Sequence, residues 1–174
     1  AGLNTGAYAI KDDNPYLPID ELPIDLPTME FETVVKSLHL MVKYLLPFFR
    51  QQSLSKIVVV NSMSGLRSYS MGFSHSSAKA GMHNATRALT LELNKSNIFI
   101  SEVNPGIVDT GIYDNEIVQN SIKKISLEFG YKYDTLPMMS PYEVANAILS
   151  CLTSEAHILE INMVAKGQWP HVSA

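Results

Sequence analysis

Three short apolar runs alternate with helical patterns along this chain, and this alternation constrains its fold more than any other feature. The runs are rich in β-branched residues and span residues 56–60, 98–103 and 157–164. Such runs are typical of buried parallel strands, because both faces of those strands are covered. A helical pattern precedes each run, at residues 28–52, 74–94 and 141–152. This order predicts an α/β domain with a parallel sheet.

The composition fits one globular domain over residues 1–174. A formal net charge of −4 argues against a nucleic-acid or anionic-membrane partner. No apolar run reaches the length of a membrane span. The single cysteine, Cys151, fits a reducing compartment, so we expect a cytoplasmic protein. The sequence starts without a methionine, and we expect it to begin partway through a longer protein.

The first part of the chain predicts a loop followed by a long helix. Residues 3–27 contain four prolines, which preclude a long helix or a central strand, so we expect an exposed loop. Thr28 is expected to cap the helix over residues 28–52. Apolar side chains lie nearly all around that helix, so we expect a second subunit to cover part of it. Pro47 is expected to bend or loosen the helix near its end.

Polar or glycine-containing turns follow the first two apolar runs. They read Asn61-Ser62 and Asn104-Pro105-Gly106. Ligands of open α/β sheets bind outside the carboxyl ends of the strands. Ser62 and Thr110 are therefore expected to lie near a ligand. A serine after a strand also commonly caps a turn, and on its own residue type Ser62 fits either interpretation.

Five short motifs occur in a fixed order: A-G at the start, N-S-M-S-G from Asn61, H-S-S-A-K-A-G from His75, N-P-G-I-V-D-T from Asn104, and G-Q ending at Gln168. Their order and spacing resemble those of the short-chain dehydrogenase/reductase family, whose catalytic segment reads S-x12-Y-x3-K. The resemblance covers almost the whole chain. It implies a Rossmann-like, three-layer α/β fold with helices on both faces of a parallel sheet.

The same resemblance implies that NAD or NADP binds across the strand ends and that the substrate is a small alcohol or carbonyl compound. By the match, the catalytic residues are Ser62, His75 and Lys79. The implied cofactor-binding residues are Gly2, Lys79, Pro105, Gly106, Val108 and Thr110. Residues 111–139, with a helix expected near 114–129, would form a lid over the substrate. The two helices before and after the first strand resemble those that family dimers pair, so we expect a homodimer or homotetramer.

The chain departs from the family motif at His75, which stands where the family has its catalytic tyrosine. The pKa of a tyrosine is about 10, and a neighbouring ammonium lowers it towards the working pH. The pKa of an imidazole is about 6.5, and the same ammonium lowers it further, so His75 is expected to be mostly neutral at pH 7. A neutral imidazole accepts a proton from an alcohol. We therefore expect alcohol oxidation at neutral pH and carbonyl reduction at acidic pH.

Two further departures concern the cofactor and the proton relay. Val34 occupies the position at which many family members have an asparagine that completes the relay, and valine cannot form a side-chain hydrogen bond. The glycine-rich turn G-x-x-x-G-x-G does not occur in this sequence, nor do the strands that precede A-G in the family. We expect the sequence to correspond to the second part of a family member.

Other functions remain open at this point. His75 and Val34 are also compatible with a non-catalytic binding or scaffolding protein that keeps the fold. A hydrolase that uses Ser62 is a weaker alternative, because no G-x-S-x-G motif occurs. We expect no metal site, since His39 and His83 lie on helices without a partner at ligand spacing.

Overall fold

The three predicted strands form one parallel sheet. The computed structural model of the chain describes residues 16–168, and the strands within them are β1, Ser55–Val60, β2, Ile98–Pro105, and β3, Glu160–Met163. The sheet order is β1-β2-β3, with β2 parallel to both neighbours. The prediction of a parallel α/β sheet is confirmed, although β3 is shorter than the predicted run 157–164.

The α-helices of residues 16–168 are α1, Leu26–Phe31, α2, Ser37–Phe49, α3, Phe73–Leu93, α4, Glu116–Glu128, and α5, Pro141–Thr153. A π-helical turn, Glu32–Lys36, joins α1 to α2. Short 3₁₀ turns lie at Met63–Gly65 and Ile112–Asp114.

Helices cover both faces of the sheet. An apolar cluster joins α2 and α3 to one face and consists of Leu38, Val42, Val59, Leu93, Ile98 and Ile100. α5 contacts β1 and β2 and covers the opposite face. The three-layer, Rossmann-like arrangement that the resemblance implied is therefore confirmed. α1 packs on α3, which brings the first helix to the carboxyl ends of the strands.

The start of the first helix differs from the prediction. The helix begins at Leu26 with Asp25 as N-cap, so Thr28 is not the cap and the predicted loop 3–27 ends two residues too late. Pro27 lies in the first turn, where a backbone N–H is not needed for the helix ladder. Pro47 lies inside α2, which continues to Phe49.

The predicted cap of the last helix is confirmed. Ser140 is the N-cap of α5, and Pro141 opens the helix. The Ser140 side chain accepts from the backbone of the first turn, while Glu143 accepts from the Ser140 N–H at 2.6 Å. This reciprocal capping fixes where α5 begins and so where it meets the sheet.

One face of α2 carries large apolar side chains that are exposed. Met41, Tyr44 and Phe48 are 62%, 65% and 64% exposed. A second subunit covering this face would explain why the helix is apolar nearly all round. In residues 16–168 no helix has both the length and the apolar character that crossing a bilayer requires.

We predict that the full-length protein is a homodimer or homotetramer that uses this face of α2. Phe48→Glu should shift the protein to a monomer, because the interface would have to bury an unpaired carboxylate. The mass is measured by light scattering. Ile24→Glu is the matched control, since Ile24 is 91% exposed in the loop before α1. A monomeric parent protein would contradict the prediction.

Candidate active site at the strand ends

Ser62 follows β1 and is held in place by a short turn. Its hydroxyl accepts a hydrogen bond from the Ser64 N–H at 3.1 Å and so caps the 3₁₀ turn Met63–Gly65. A Cβ on Gly65 would lie 2.7 Å from the Lys79 carbonyl oxygen, so only glycine lets this turn approach α3 so closely. Ser62 is thus both a turn cap and a residue fixed beside the helix that carries His75 and Lys79.

α3 brings His75 and Lys79 to the same cavity, because residues four apart lie on one face of a helix. The cavity has a volume of about 290 Å³, and Ser62, His75, Lys79, Pro105 and Gly106 all line it. The structure therefore brings together all three residues assigned to catalysis and three of the six assigned to the cofactor. Lys79 is only 7% exposed.

Two further residues assigned to the cofactor, Val108 and Thr110, do not line this cavity. Val108 pairs with Met139 in an isolated parallel bridge, and Thr110 is exposed with its hydroxyl 3.4 Å from the Val108 carbonyl oxygen. Gly2 lies outside the described residues. The roles assigned to these three residues stay predictions.

The imidazole of His75 is neutral at pH 7. Burial, and after it the nearby ammonium of Lys79, lowers the pKa of His75 from 6.5 to about 4. The sequence led us to expect the effect of Lys79, but burial is the larger cause. The side chain is 22% exposed, so the ring remains accessible from the cavity.

Sequence reasoning missed Glu30, a buried carboxylate beside the site. Its side chain is fully buried in α1, and Oε2 lies 3.8 Å from His75 Nδ1, which is longer than a hydrogen bond. Burial lowers the pKa of Lys79, and the charge of Glu30 is the largest influence opposing that shift. Glu30 precedes Val34 by four residues, so helical spacing could have placed both on the same inward face.

Glu102 is a second missed carboxylate, and Asn61 links it to α3. Asn61 Nδ2 donates to the Lys79 carbonyl oxygen at 3.1 Å and to Glu102 Oε1 at 2.7 Å. The charge of Glu102 also opposes the lowered pKa of Lys79. A glutamate inside the apolar run 98–103 was a signal, because a buried carboxylate needs partners.

Three tyrosines add hydroxyl groups to the cavity wall. Burial raises the pKa values of Tyr16, Tyr69 and Tyr113, so their hydroxyls are protonated at pH 7 and can donate hydrogen bonds. The ring of Tyr69 packs directly against Gly72, because a Cβ at that position would lie only 2.7 Å from the ring. Sequence reasoning missed Tyr69, although it lies only six residues before His75.

The segment predicted to be a lid lines the apolar side of the cavity. Val118, Ile122 and Ile125 project from α4 into the lining, together with Tyr113 from the preceding turn. These side chains surround an apolar space that a substrate can fill. Whether residues 111–139 open and close stays a prediction.

The carboxamide of Gln168 lies against Gly106 and Ile107, the residues that follow β2. Its Oε1 accepts from the Ile107 N–H at 2.9 Å and from the Ala165 N–H at 3.2 Å. A Cβ on Gly106 would lie 2.4 Å from Gln168 Nε2, so the two residues are in close contact. The carboxamide therefore lies beside the peptides that the resemblance assigns to the cofactor.

Comparison with known proteins identifies the same family along the sequence. The family model described as short chain dehydrogenase matches residues 9–120. The 3-oxoacyl-[acyl-carrier-protein] reductase FabG of Aggregatibacter actinomycetemcomitans is 31% identical over 121 residues, which are 70% of this chain and 47% of that protein. An uncharacterized oxidoreductase of Staphylococcus aureus is 26% identical over 65% of this chain and 42% of that protein. The chain spans less than half the length of these two relatives.

Solved structures share the fold. A short chain dehydrogenase from Burkholderia cenocepacia in complex with NADP has a TM-score of 0.70 and 21% identity, over 97% of this chain and 58% of that one. An alcohol dehydrogenase from Thermococcus sibiricus complexed with 5-hydroxy-NADP has a TM-score of 0.69 and 18% identity, over 90% of this chain and 60% of that one. Both of those structures contain NADP or a derivative of it.

The lowered pKa of His75 predicts that the protein loses stability in acid. Between the unfolded pKa of 6.5 and the folded pKa of about 4, the unfolded state binds more protons at His75. The contribution of His75 is therefore fully present above this window and is lost as the pH falls through it. When the pH is lowered from 7 to 4.5, the free energy of unfolding should fall in both proteins. The fall should be roughly 2–3 kcal/mol smaller in His75→Phe than in the parent.

Urea unfolding at the two pH values measures this difference. His39→Phe, at an exposed position of α2, is the matched control and should follow the parent. Equal pH dependence of the parent and His75→Phe would contradict the prediction.

Proposed function

Because this chain belongs to the short-chain dehydrogenase family, we propose that it is an NAD(P)-dependent oxidoreductase that interconverts an alcohol and a carbonyl compound. The observation that carries the proposal is the meeting of Ser62, His75 and Lys79 at one cavity, at the carboxyl ends of parallel strands. Pro105 and Gly106 line the same cavity, where the family places its nicotinamide.

The described residues fit the nicotinamide end of such a cofactor. Lys79 presents an ammonium to the cavity, and the backbone of Pro105 and Gly106 lines it, with the Gln168 carboxamide packed against Gly106. Lys79 would bind the ribose hydroxyls, and the peptides of Pro105 and Gly106 would bind the carboxamide. When bound, the cofactor supplies or accepts the hydride.

In this proposal, Ser62 and His75 bind the substrate oxygen and its proton. The Ser62 hydroxyl donates to the oxygen and orients it. Nδ1 of His75 faces Glu30, which leaves Nε2 to accept the proton of an alcohol. In the reverse direction, the imidazolium returns this proton to the carbonyl oxygen. With a pKa of about 4, the imidazolium is scarce at neutral pH, so oxidation is the direction favoured there.

Glu30 supports the site through the charge of Lys79. The ammonium is desolvated, which favours its neutral form, and Glu30 opposes this effect. Val34, where the family has a relay asparagine, is 1% exposed and cannot form a side-chain hydrogen bond. We propose that Glu30, one turn earlier on the same face, supplies the polar contact to the site that Val34 lacks.

The cavity lining indicates the kind of substrate. Three protonated tyrosine hydroxyls and the Ser62 hydroxyl can donate hydrogen bonds, while the α4 side chains offer apolar contact. This combination fits a compact alcohol or carbonyl compound with an apolar body and further oxygen atoms that accept hydrogen bonds.

Activity assays over an alcohol and carbonyl panel, with NAD and with NADP, test the role of His75. Carbonyl reduction should accelerate by about tenfold per pH unit as the pH falls from 7 towards the pKa of His75, because it requires the imidazolium. His75→Phe should reduce both directions by at least about 100-fold. His39→Phe is the control and should keep the parent rates.

A second candidate, a non-catalytic nucleotide-binding or scaffolding protein, is favoured by one observation. The Gln168 carboxamide occupies hydrogen-bonding space beside Ile107, close to where a nicotinamide carboxamide is expected. A parent that binds NADP in calorimetry without turnover, and a His75→Tyr variant that gains turnover, would establish this alternative. Turnover by the parent that His75→Phe abolishes would exclude it.

The proposed role of Glu30 predicts a change in the pH profile. Glu30→Gln removes the charge that raises the pKa of Lys79, so the alkaline limb of the activity profile should move to lower pH. The maximal rate should fall by roughly tenfold, the effect of one lost buried interaction. Glu32→Gln, whose side chain is exposed two residues later, is the matched control. An unchanged alkaline limb in Glu30→Gln would contradict this role.

A further inference from the structure

Three side chains of metal-ligand type converge outside the cavity lining. His83 Nδ1 and one carboxylate oxygen from each of Glu102 and Glu160 all lie within 4.8 Å of one another. The two glutamates are register partners on the neighbouring strands β2 and β3, so their side chains leave the same face of the sheet. His83 reaches them from α3, which packs against β2. We propose that these residues form a binding site for a divalent transition-metal ion, with Zn²⁺ as its occupant.

The charges of the cluster favour a cation. Glu102 is 2% exposed, and Glu160 adds a second carboxylate beside it. Nδ1 of His83 lies 2.6 Å from Glu102 Oε2, so this hydrogen bond engages only one of the two carboxylates. Lys79 also attracts Glu102, but its charge is shared with Glu30. A divalent ion would balance both carboxylates at once.

Two buried amide oxygens next to the carboxylates provide a second, independent observation. In residues 16–168, Asn61 Oδ1 and Asn104 Oδ1 are buried without a hydrogen-bond partner. Asn61 contacts Glu102 through its amide nitrogen at 2.7 Å, and Asn104 contacts Glu160 in the same way at 3.4 Å. Orphaned buried acceptors are unfavourable. Water molecules bound to an ion at this cluster could donate to these oxygens.

The ligand chemistry selects the class of ion. One imidazole nitrogen with two carboxylate oxygens suits zinc and its first-row neighbours better than Mg²⁺ or Ca²⁺, which prefer oxygen ligands alone. Zinc holds such ligands at about 2.0–2.2 Å, so two ligands of one ion lie at most ~4.4 Å apart. The largest separation, at most 4.8 Å, needs only a small closure, whereas His83 Nδ1 and Glu102 Oε2, 2.6 Å apart, have to separate as the ion replaces their hydrogen bond. Glu160 is exposed, which gives it freedom to close and gives the ion a path from solvent.

The sequence prediction of no metal site considered His83 only against partners at local spacing. Its nearest proposed co-ligand is 19 residues away along the chain and lies on a strand. Only the pairing of β2 with β3 and the packing of α3 bring the three ligands together. The proposal does not depend on the oxidoreductase function, and its test reads metal binding rather than activity.

Calorimetric titration of the metal-free, full-length protein with ZnCl₂ tests the site. We expect one Zn²⁺ ion per chain and a higher melting temperature in its presence. Glu160→Gln and His83→Ala should each weaken the affinity by at least about tenfold and reduce the thermal shift, because loss of even an outer-shell partner has effects of this size.

The controls separate this site from adventitious binding. Glu155→Gln and His39→Ala remove an exposed carboxylate and an exposed imidazole elsewhere and should keep the parent affinity. Glu160 is exposed, so its substitution leaves the buried part of the cluster intact and the fold can be verified by circular dichroism. No binding by the parent, or unchanged affinity in folded Glu160→Gln, would overturn the proposal.

Discussion

The strand ends are organised around one buried charge, the ammonium of Lys79. Moving such an ion out of water is unfavourable by several kcal/mol unless opposite charges and hydrogen bonds compensate. Here the compensation comes from two elements, because Glu30 lies on α1 and Glu102 on β2. Gly65 packs closely against the Lys79 carbonyl group, which also accepts a hydrogen bond from the Asn61 amide. The position of α1 against α3 therefore matters for the charge of the site as well as for its shape.

The same surroundings act differently on the imidazole of His75 than on the phenol that the family has at this position. A phenol needs a nearby ammonium to lower its pKa, whereas an imidazole near the same ammonium becomes a weaker base. Glu30 lies 3.8 Å from His75, yet the pKa of His75 stays near 4, so burial and Lys79 dominate. In the proposed mechanism, His75 is thus available as a proton acceptor, while its imidazolium is scarce as a proton donor at neutral pH.

Local patterns were sufficient for the elements and insufficient for their polar contacts. Apolar periodicity predicted β1, β2 and α3 to within a few residues, and Ser140 with Pro141 predicted the start of α5. The start of α1 was missed because Pro27 and Asp25 form a helix start as readily as Thr28 does. Glu30 and Glu102 were missed because their partners lie far along the chain and meet them only when α1, α3 and β2 pack.

The π-helical turn Glu32–Lys36 separates Glu30 from the rest of the first long helix. This wider turn follows the helix segment that carries Glu30, and turns of this type are frequent at functional sites. Val34 lies within the turn and is buried, so the position at which many relatives have an asparagine is here part of the apolar interior. Glu30 lies before the turn, on regular helix packed against α3, and its carboxylate is 3.8 Å from His75 Nδ1. In the role proposed for Glu30, the polar residue of the first helix lies one turn before Val34, the position at which many relatives have an asparagine.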